Sequence, residues 1–156
     1  NSANGQQREE GLRHELAGDG RVQIVDAVNV LSTIEDSKAG TIKMLEEHPE
    51  INVIATFNEW TSLGVSYAIR DLELAEETAV VAFDSNVVCV GMLETGEVDA
   101  LIVQNPYAMG YLGVECAYNL INDLPVENAR VDTATTVITR ENMFEEECQK
   151  VLFSFD

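Results

Sequence analysis

Residues 51–60, INVIATFNEW, form an apolar, β-branched run that stops at Asn58 and continues directly into residues of helical spacing. The same order returns at residues 79–84, AVVAFD, where the run ends in Phe83-Asp84 before a second helical stretch. Strand, polar residue and helix in close succession call for parallel strands joined by crossover helices, since a helix is what carries the chain back to start the next parallel strand. Both junctions then fall at the carboxyl edge of one sheet. Open α/β folds bind small molecules at that edge.

The rest of the chain fits around these two junctions. Residues 1–5 read as a loop, and 6–17 as a helix with Leu12 and Leu16 on one face, closed by Gly18-Asp19-Gly20. Residues 21–28, RVQIVDAV, alternate and are β-branched, which predicts a strand. Thr33 with Asp36 three residues on is an acidic variant of the capping box; its helix runs to about residue 47, buries Ala39, Ile42 and Leu45, and is stopped by Pro49. Continuous apolarity over 51–57 predicts a strand covered on both faces. Helical spacing at Trp60, Leu63, Gly64, Tyr67 and Ala68 extends the next helix to about residue 72. Residues 78–83 and 100–103 read as further strands, 87–93 as a short helix between them, and 131–139 as a last, half-exposed strand. Met109, Leu112, Gly113, Cys116, Ala117, Leu120 and Ile121 mark the clearest amphipathic helix, and residues 141–152 a terminal one. The expected fold is α/β, a three-layer sandwich with a mainly parallel sheet.

With 156 residues, 46% hydrophobic and 24% charged, the chain can build one domain with a core of its own. Its 28 acidic against 9 basic residues leave −19. That charge opposes nucleic acid and anionic membranes and favours a neutral or cationic ligand. Most of it is spread along helices, as at Glu145, Glu146 and Glu147, and reads as a solvated face. Cys89, Cys116 and Cys148 are odd in number, widely spaced and without CxxC, so they read as buried free thiols rather than a disulfide framework or zinc site. No run of 18 apolar residues occurs, and the first residues carry no signal-peptide pattern.

Catalytic patterns are wanting: GxSxG, HExxH, DxDxDG and the P-loop are all absent, and His14 and His48 fall mid-helix and at a helix end beside Pro49. The chain does not read as an enzyme, and no metal or cofactor is expected. The strand ends are more informative. Asn58, Asp84 and Gln104 each follow a strand, and on one edge of a parallel sheet they would converge. Amides and a carboxylate supply donors and acceptors for a polyhydroxyl ligand, and a neighbouring aromatic offers an apolar face to a sugar ring. The competing reading makes Asn58 and Asp84 plain helix caps and Phe57 and Phe83 plain core.

Several short motifs, in order and at matching spacings over nearly the whole chain, tip this balance. They are Arg8-Glu9-Glu10-Gly11-Leu12, His48-Pro49-Glu50, Phe57-Asn58-Glu59 with Leu63-Gly64, Val81-Ala82-Phe83-Asp84, Gly96-Glu97-Val98-Asp99-Ala100, Val103-Gln104-Asn105-Pro106 with Met109-Gly110, and Thr139-Arg140-Glu141-Asn142. With them the chain resembles the C-terminal part of type I periplasmic sugar-binding proteins of ABC importers, those for ribose and galactose being nearest in type. The resemblance implies that Arg8, Asn58, Phe83, Asp84 and Gln104 contact a sugar held between two lobes that close on a hinge. Glu59 stands where the family usually has aspartate, Trp60 is bulkier than usual, and Ser32 falls where some members carry a stacking aromatic. These three are the expected points of altered specificity.

The same resemblance implies a single incomplete lobe, a periplasmic-binding-protein-like I fold whose first strand is missing. Residues 1–104 would form its core, 105–130 a crossover helix that packs on an absent N-terminal lobe, and 131–156 a returning strand and terminal segment. The implied function is capture of a sugar and delivery to a membrane permease, outside the cytoplasm, in the periplasm or on a cell-surface lipoprotein. A sugar-sensing domain of a lactose-repressor-type regulator, cytoplasmic, shares the fold and is the alternative. Unpaired strand edges and an exposed helix face lead us to expect self-association, by exchange of elements among other routes.

Overall fold

The computed structural model describes residues 2–126, 128 and 130–153. Residue 1, part of the expected loop 1–5, lies outside the described residues, as do 127, 129 and 154–156 in the expected segments 105–130 and 131–156. In chain order the elements are α1 (Ala3–Leu16), α2 (Ile34–Glu47), β1 (Val53–Ala55), α3 (Glu59–Asp71), β2 (Ala79–Phe83), α4 (Val87–Thr95), β3 (Ala100–Val103), α5 (Pro106–Ile121), β4 (Thr136–Thr139) and α6 (Glu146–Leu152). One four-stranded sheet has the order β1-β2-β3-β4. The first three strands are parallel, and β4 returns antiparallel to β3 with Leu101 opposite Ile138.

Alternation along the strands sorts the sheet into two unlike faces. Ile54, Val80, Ala82, Leu101, Val103 and Ile138 are buried and join Leu63 and Ile69 of α3, Leu93 of α4 and Leu152 of α6 in one core. Val53, Ala55, Ala79, Val81 and Phe83, on the other face, are only partly covered or exposed. Val53 is 56% exposed, so the apolar run 51–57 is not sealed on both sides as its composition predicts. The reason is positional. A sheet face is sealed by a layer packed on it, and the α3, α4 and α6 side chains of the core lie against the other face.

Four other expectations change. Residues 21–28 form no strand: after a turn at Arg21 they have no regular secondary structure and no ladder partner among the described residues, with Val22, Ile24 and Val28 exposed. A strand exists only when a second one accepts its hydrogen bonds, and β-branched alternation supplies half of that condition. This segment instead leans on α2, where a Cβ at Gly40 would sit 3.2 Å from Val30 Cγ1 and 3.5 Å from Val28 Cγ1. The strand expected over 131–139 shortens to Thr136–Thr139, since β3 itself offers only four residues to pair. The terminal helix starts at Glu146, not at residue 141, because Asn142 closes a turn first: its Oδ1 accepts from Thr139 N at 2.8 Å and its Nδ2 donates to Val137 O at 3.1 Å. The expected loop at the start is helix from Ala3, since Ser2 Oγ caps it by accepting from Gly5 N at 3.1 Å.

The helix ends otherwise follow local chemistry. Thr33 Oγ1 accepts from Asp36 N, and the Asp36 carboxylate accepts from Leu31 N, two residues before the usual reciprocal partner, the N–H of Thr33 itself. α2 buries Ser37, Thr41 and Leu45, whereas Ala39 is exposed and Ile42 only half-buried. The reason is the approach of α3. A Cβ on Gly64 would lie 2.4 Å from Ser37 Cβ and 2.7 Å from Ile34 O, so the two helices meet along Ser37 and Thr41. Cys89 and Cys148 are buried free thiols; Cys116, on α5, is only partly covered.

Candidate functional site

Every parallel strand of the sheet delivers its last residues to one edge, and the polar groups expected there are found there. β2 ends at Phe83, and Asp84 turns out of the sheet with φ +73°, a left-handed conformation that few residues besides glycine, asparagine and aspartate adopt readily. Its backbone N–H still donates to Ile102 O at 3.0 Å, which anchors the turn to β3. Gln104, just past β3, donates from Nε2 to Asp84 Oδ1 at 2.9 Å. The cap of α4 is Asn86, whose Oδ1 accepts from Cys89 N at 2.9 Å. Asp84 therefore does not cap that helix, and it lines the opening beside Gln104.

Arg8 completes the group from α1. Its Nη1 donates to Phe57 O at 2.7 Å, and its guanidinium lies 3.9 Å from the centroid of the Phe83 ring. Parallel pairing directs the groups of residues 52, 54 and 56 toward β2 and leaves those of 53, 55 and 57 on the open side. Arg8 thus satisfies the last carbonyl of an unpaired edge while stacking on an aromatic face, a placement that a lysine ammonium could not reproduce. Two adjoining hollows flank this arrangement. One, of 330 Å³, is lined by Glu59, Asp84, Ser85, Asn86, Val103, Gln104, Pro106 and Met109. The other, of 410 Å³, is lined by Asn4, Gln7, Arg8, Gln104 and Met109. Each is of a size that holds a small ligand.

Residues 1–124 match the family described as the periplasmic binding protein domain. The chain belongs to that family. Among its relatives is the D-ribose/D-allose-binding protein of Pseudomonas aeruginosa, 27% identical over 141 residues, which cover 88% of this chain and 44% of that protein. Among solved structures, a carbohydrate transporter solute-binding protein from Agrobacterium radiobacter in complex with D-arabinose superposes with a TM-score of 0.90 at 25% identity, over 95% of this chain and 50% of the other. An ABC transporter solute-binding protein from Agrobacterium vitis with bound D-fucose gives 0.87 at 27% identity, over 94% and 50%. The chain spans about half the length of the relatives it matches.

Within this binding-protein lobe the expected site residues divide. Arg8, Phe83, Asp84 and Gln104 are brought together. Asn58 stands at the same edge, but its Oδ1 is taken by Thr61 N at 3.0 Å, so it caps α3 and keeps only Nδ2 for other use. That Nδ2 points to Ser32 Oγ at 3.4 Å, in a residue with φ +56°. Glu59 lines the first hollow beside Asp84. Trp60 is 51% exposed on the first turn of α3 and lines neither hollow. The first turn of a helix spreads successive side chains by about 100°, so only one of the pair Glu59-Trp60 can face the edge.

Ser62 is the contributor that spacing did not single out. Fully buried on α3, its Oγ accepts from Phe83 N at 2.9 Å and lies 2.7 Å from Thr56 Oγ1, 2.8 Å from Asn58 O and 3.0 Å from Phe83 O. One hydroxyl so ties the ends of β1 and β2 together directly beneath Asn58 and Asp84. The available sign was a serine at position N4 followed by a second, Ser66, one turn on, two polar residues among the apolar ones of that side. Burial and partner could come only from the fold.

Proposed function

We propose that this chain is a sugar-binding lobe of a solute-binding protein that serves an ABC importer and captures its ligand without catalysis. The observation that carries this reading is the Arg8 guanidinium stacked on Phe83 beside the Asp84–Gln104 pair, at the carboxyl ends of parallel strands. Arg8 and Gln104 donate, Asp84 and the Gln104 carbonyl accept, and Asn58 Nδ2 adds a donor at the rim. A vicinal diol needs that mixture. Because Arg8 covers the Phe83 ring, the sugar's C–H face meets Met109 and the edge of the aromatic instead of stacking on it directly. Glu59 and Ser32 adjust which hydroxyls are accepted; Trp60 acts from the rim.

In this reading residues 1–104 are the lobe core, 105–130 a crossover that packs on a second lobe, and 131–156 the returning segment. The working site is outside the cytoplasm, and the partner is the importer's permease. Named relatives that bind pentoses and hexoses support the transport reading over the repressor alternative. Left to itself the chain self-associates, since the open side of β1 exposes backbone groups at residues 53 and 55.

Calorimetric titration with a panel of pentoses and hexoses tests the site, on this chain and on any longer polypeptide containing it. Arg8→Ala and Asp84→Ala each remove a charged hydrogen-bonding partner, so each is expected to weaken binding by roughly 10- to 100-fold. A sugar that binds both variants as tightly as the unaltered protein removes the assignment.

A further inference from the structure

The hollow of 330 Å³ at the strand ends holds two carboxylates, Glu59 and Asp84, and its other lining residues, Ser85, Asn86, Val103, Gln104, Pro106 and Met109, are uncharged. Among the described residues neither carboxylate has an ion-pair partner. Asp84 is bonded to the neutral amide of Gln104. Arg8 lines the neighbouring hollow, where Phe57 O and the Phe83 ring hold it. Both carboxylates also bear on one buried thiol, that of Cys89, which burial raises first and their two charges raise further, so they stand in one neighbourhood. The macrodipole of α3 favours an acid anywhere in its first turn and does not select the side shared with Asp84. A ligand is called for here on a ground other than charge as well. Asn86 lines the same hollow, and its buried Nδ2 has no hydrogen-bond partner among the described residues, a condition in which buried donors are rarely left.

We propose that this hollow takes a sugar bearing a protonated amine, its ammonium held by Glu59 beside Asp84. The inference rests on the sugar-binding reading above and adds the charge of the ligand to it. A neutral sugar can offer hydroxyls to both carboxylates, but it leaves two like charges in one partly desolvated space. An ammonium removes that repulsion. Its three N–H groups match carboxylates, which only accept, and the bonds it makes are charge-assisted and stronger than those of a hydroxyl. The −19 of the chain acts in the same direction, drawing cations toward the site and turning away anionic sugars such as phosphates and uronates. Glu59 is then the residue that separates an amino sugar from its neutral parent, because Asp84 and Gln104 serve both.

Calorimetric titration of the polypeptide that carries this lobe, with neutral pentoses and hexoses and with glucosamine, galactosamine and their parents glucose and galactose, tests it at about 20 and about 500 mM NaCl. At the lower salt an amino sugar is expected to bind about tenfold or more tighter than its neutral parent. That margin is expected to shrink about threefold or more at the higher salt, while the affinity of the neutral parent stays as it is. Glu59→Gln is expected to bring the ratio of the two affinities to within about threefold of one. Binding confined to neutral sugars, equal binding of amine and parent, a preference that survives Glu59→Gln, or one that salt leaves unchanged overturns this inference and leaves the sugar-binding reading standing. Binding of no sugar in the panel, amino or neutral, overturns both.

Discussion

Ser62 shows how much one side chain can decide. A fully buried hydroxyl that accepts from the last N–H of β2 leaves that donor unsatisfied when it is removed, at about 1–3 kcal/mol. Ser62→Ala is therefore expected to lower unfolding stability by that amount in urea titrations. Weaker sugar binding is expected with it, because Phe83 and Asp84 lose their support. A variant with unchanged midpoint would show that Thr56 Oγ1 or water replaces the contact. At this scale the sequence was partly legible. Asp84 and Gln104 announced themselves as polar residues following apolar runs, and each is where that position puts it. Asn58 carried two readings, and the fold grants it both, with the oxygen capping α3 and the nitrogen free to turn to Ser32. Trp60 stands exposed outside both hollows while Glu59 lines one, since adjacent positions of a helix cannot share one face.

Among the elements, α2 and α3 make the closest approach. Gly64 permits it: any side chain there meets Ser37 Cβ at 2.4 Å and backbone atoms of residues 34 and 38 within 3 Å. Gly64→Ala forces the helices apart and is expected to cost about 1–3 kcal/mol by thermal or urea unfolding, although alanine is the better helix former. A stabilised variant would mean that α2 can slide without loss. The Lys38–Asp71 pair ties the outer ends of the same two helices. Helices were more legible than strands because their caps are local. Thr33, Asn86 and Asn105 each bond a donor three residues on, and a short window of sequence contains both partners. Residues 21–28 have the composition of a strand and no ladder, and the difference is a partner that composition does not specify.

At the scale of the whole molecule, the proton on Cys89 is expected to contribute a pH dependence to stability. Burial, aided by the negative charges of Glu59 and Asp84, pushes this thiol above its ordinary value of 9.0, against a smaller opposing effect of the bond to Asn86. In the unfolded chain the thiol ionises near that ordinary value while the folded chain retains its proton. The unfolded state then binds fewer protons, and stability, fully present below about pH 9, declines as pH rises through it. Urea midpoints between about pH 8 and about pH 10 are expected to fall in the unaltered chain and to fall less in Cys89→Ala. Equal slopes would remove the linkage. By itself the sequence determined the alternation of strands and helices, the parallel sense of the first three strands, and the polar residues at their carboxyl ends, because each depends on residues a few positions apart. Only the tertiary structure decided that Arg8 lies on Phe83, that Ser62 joins two strand ends, and that one face of the sheet stays open. Those outcomes depend on which element, distant in sequence, the fold brings near enough to satisfy a carbonyl or cover an apolar face.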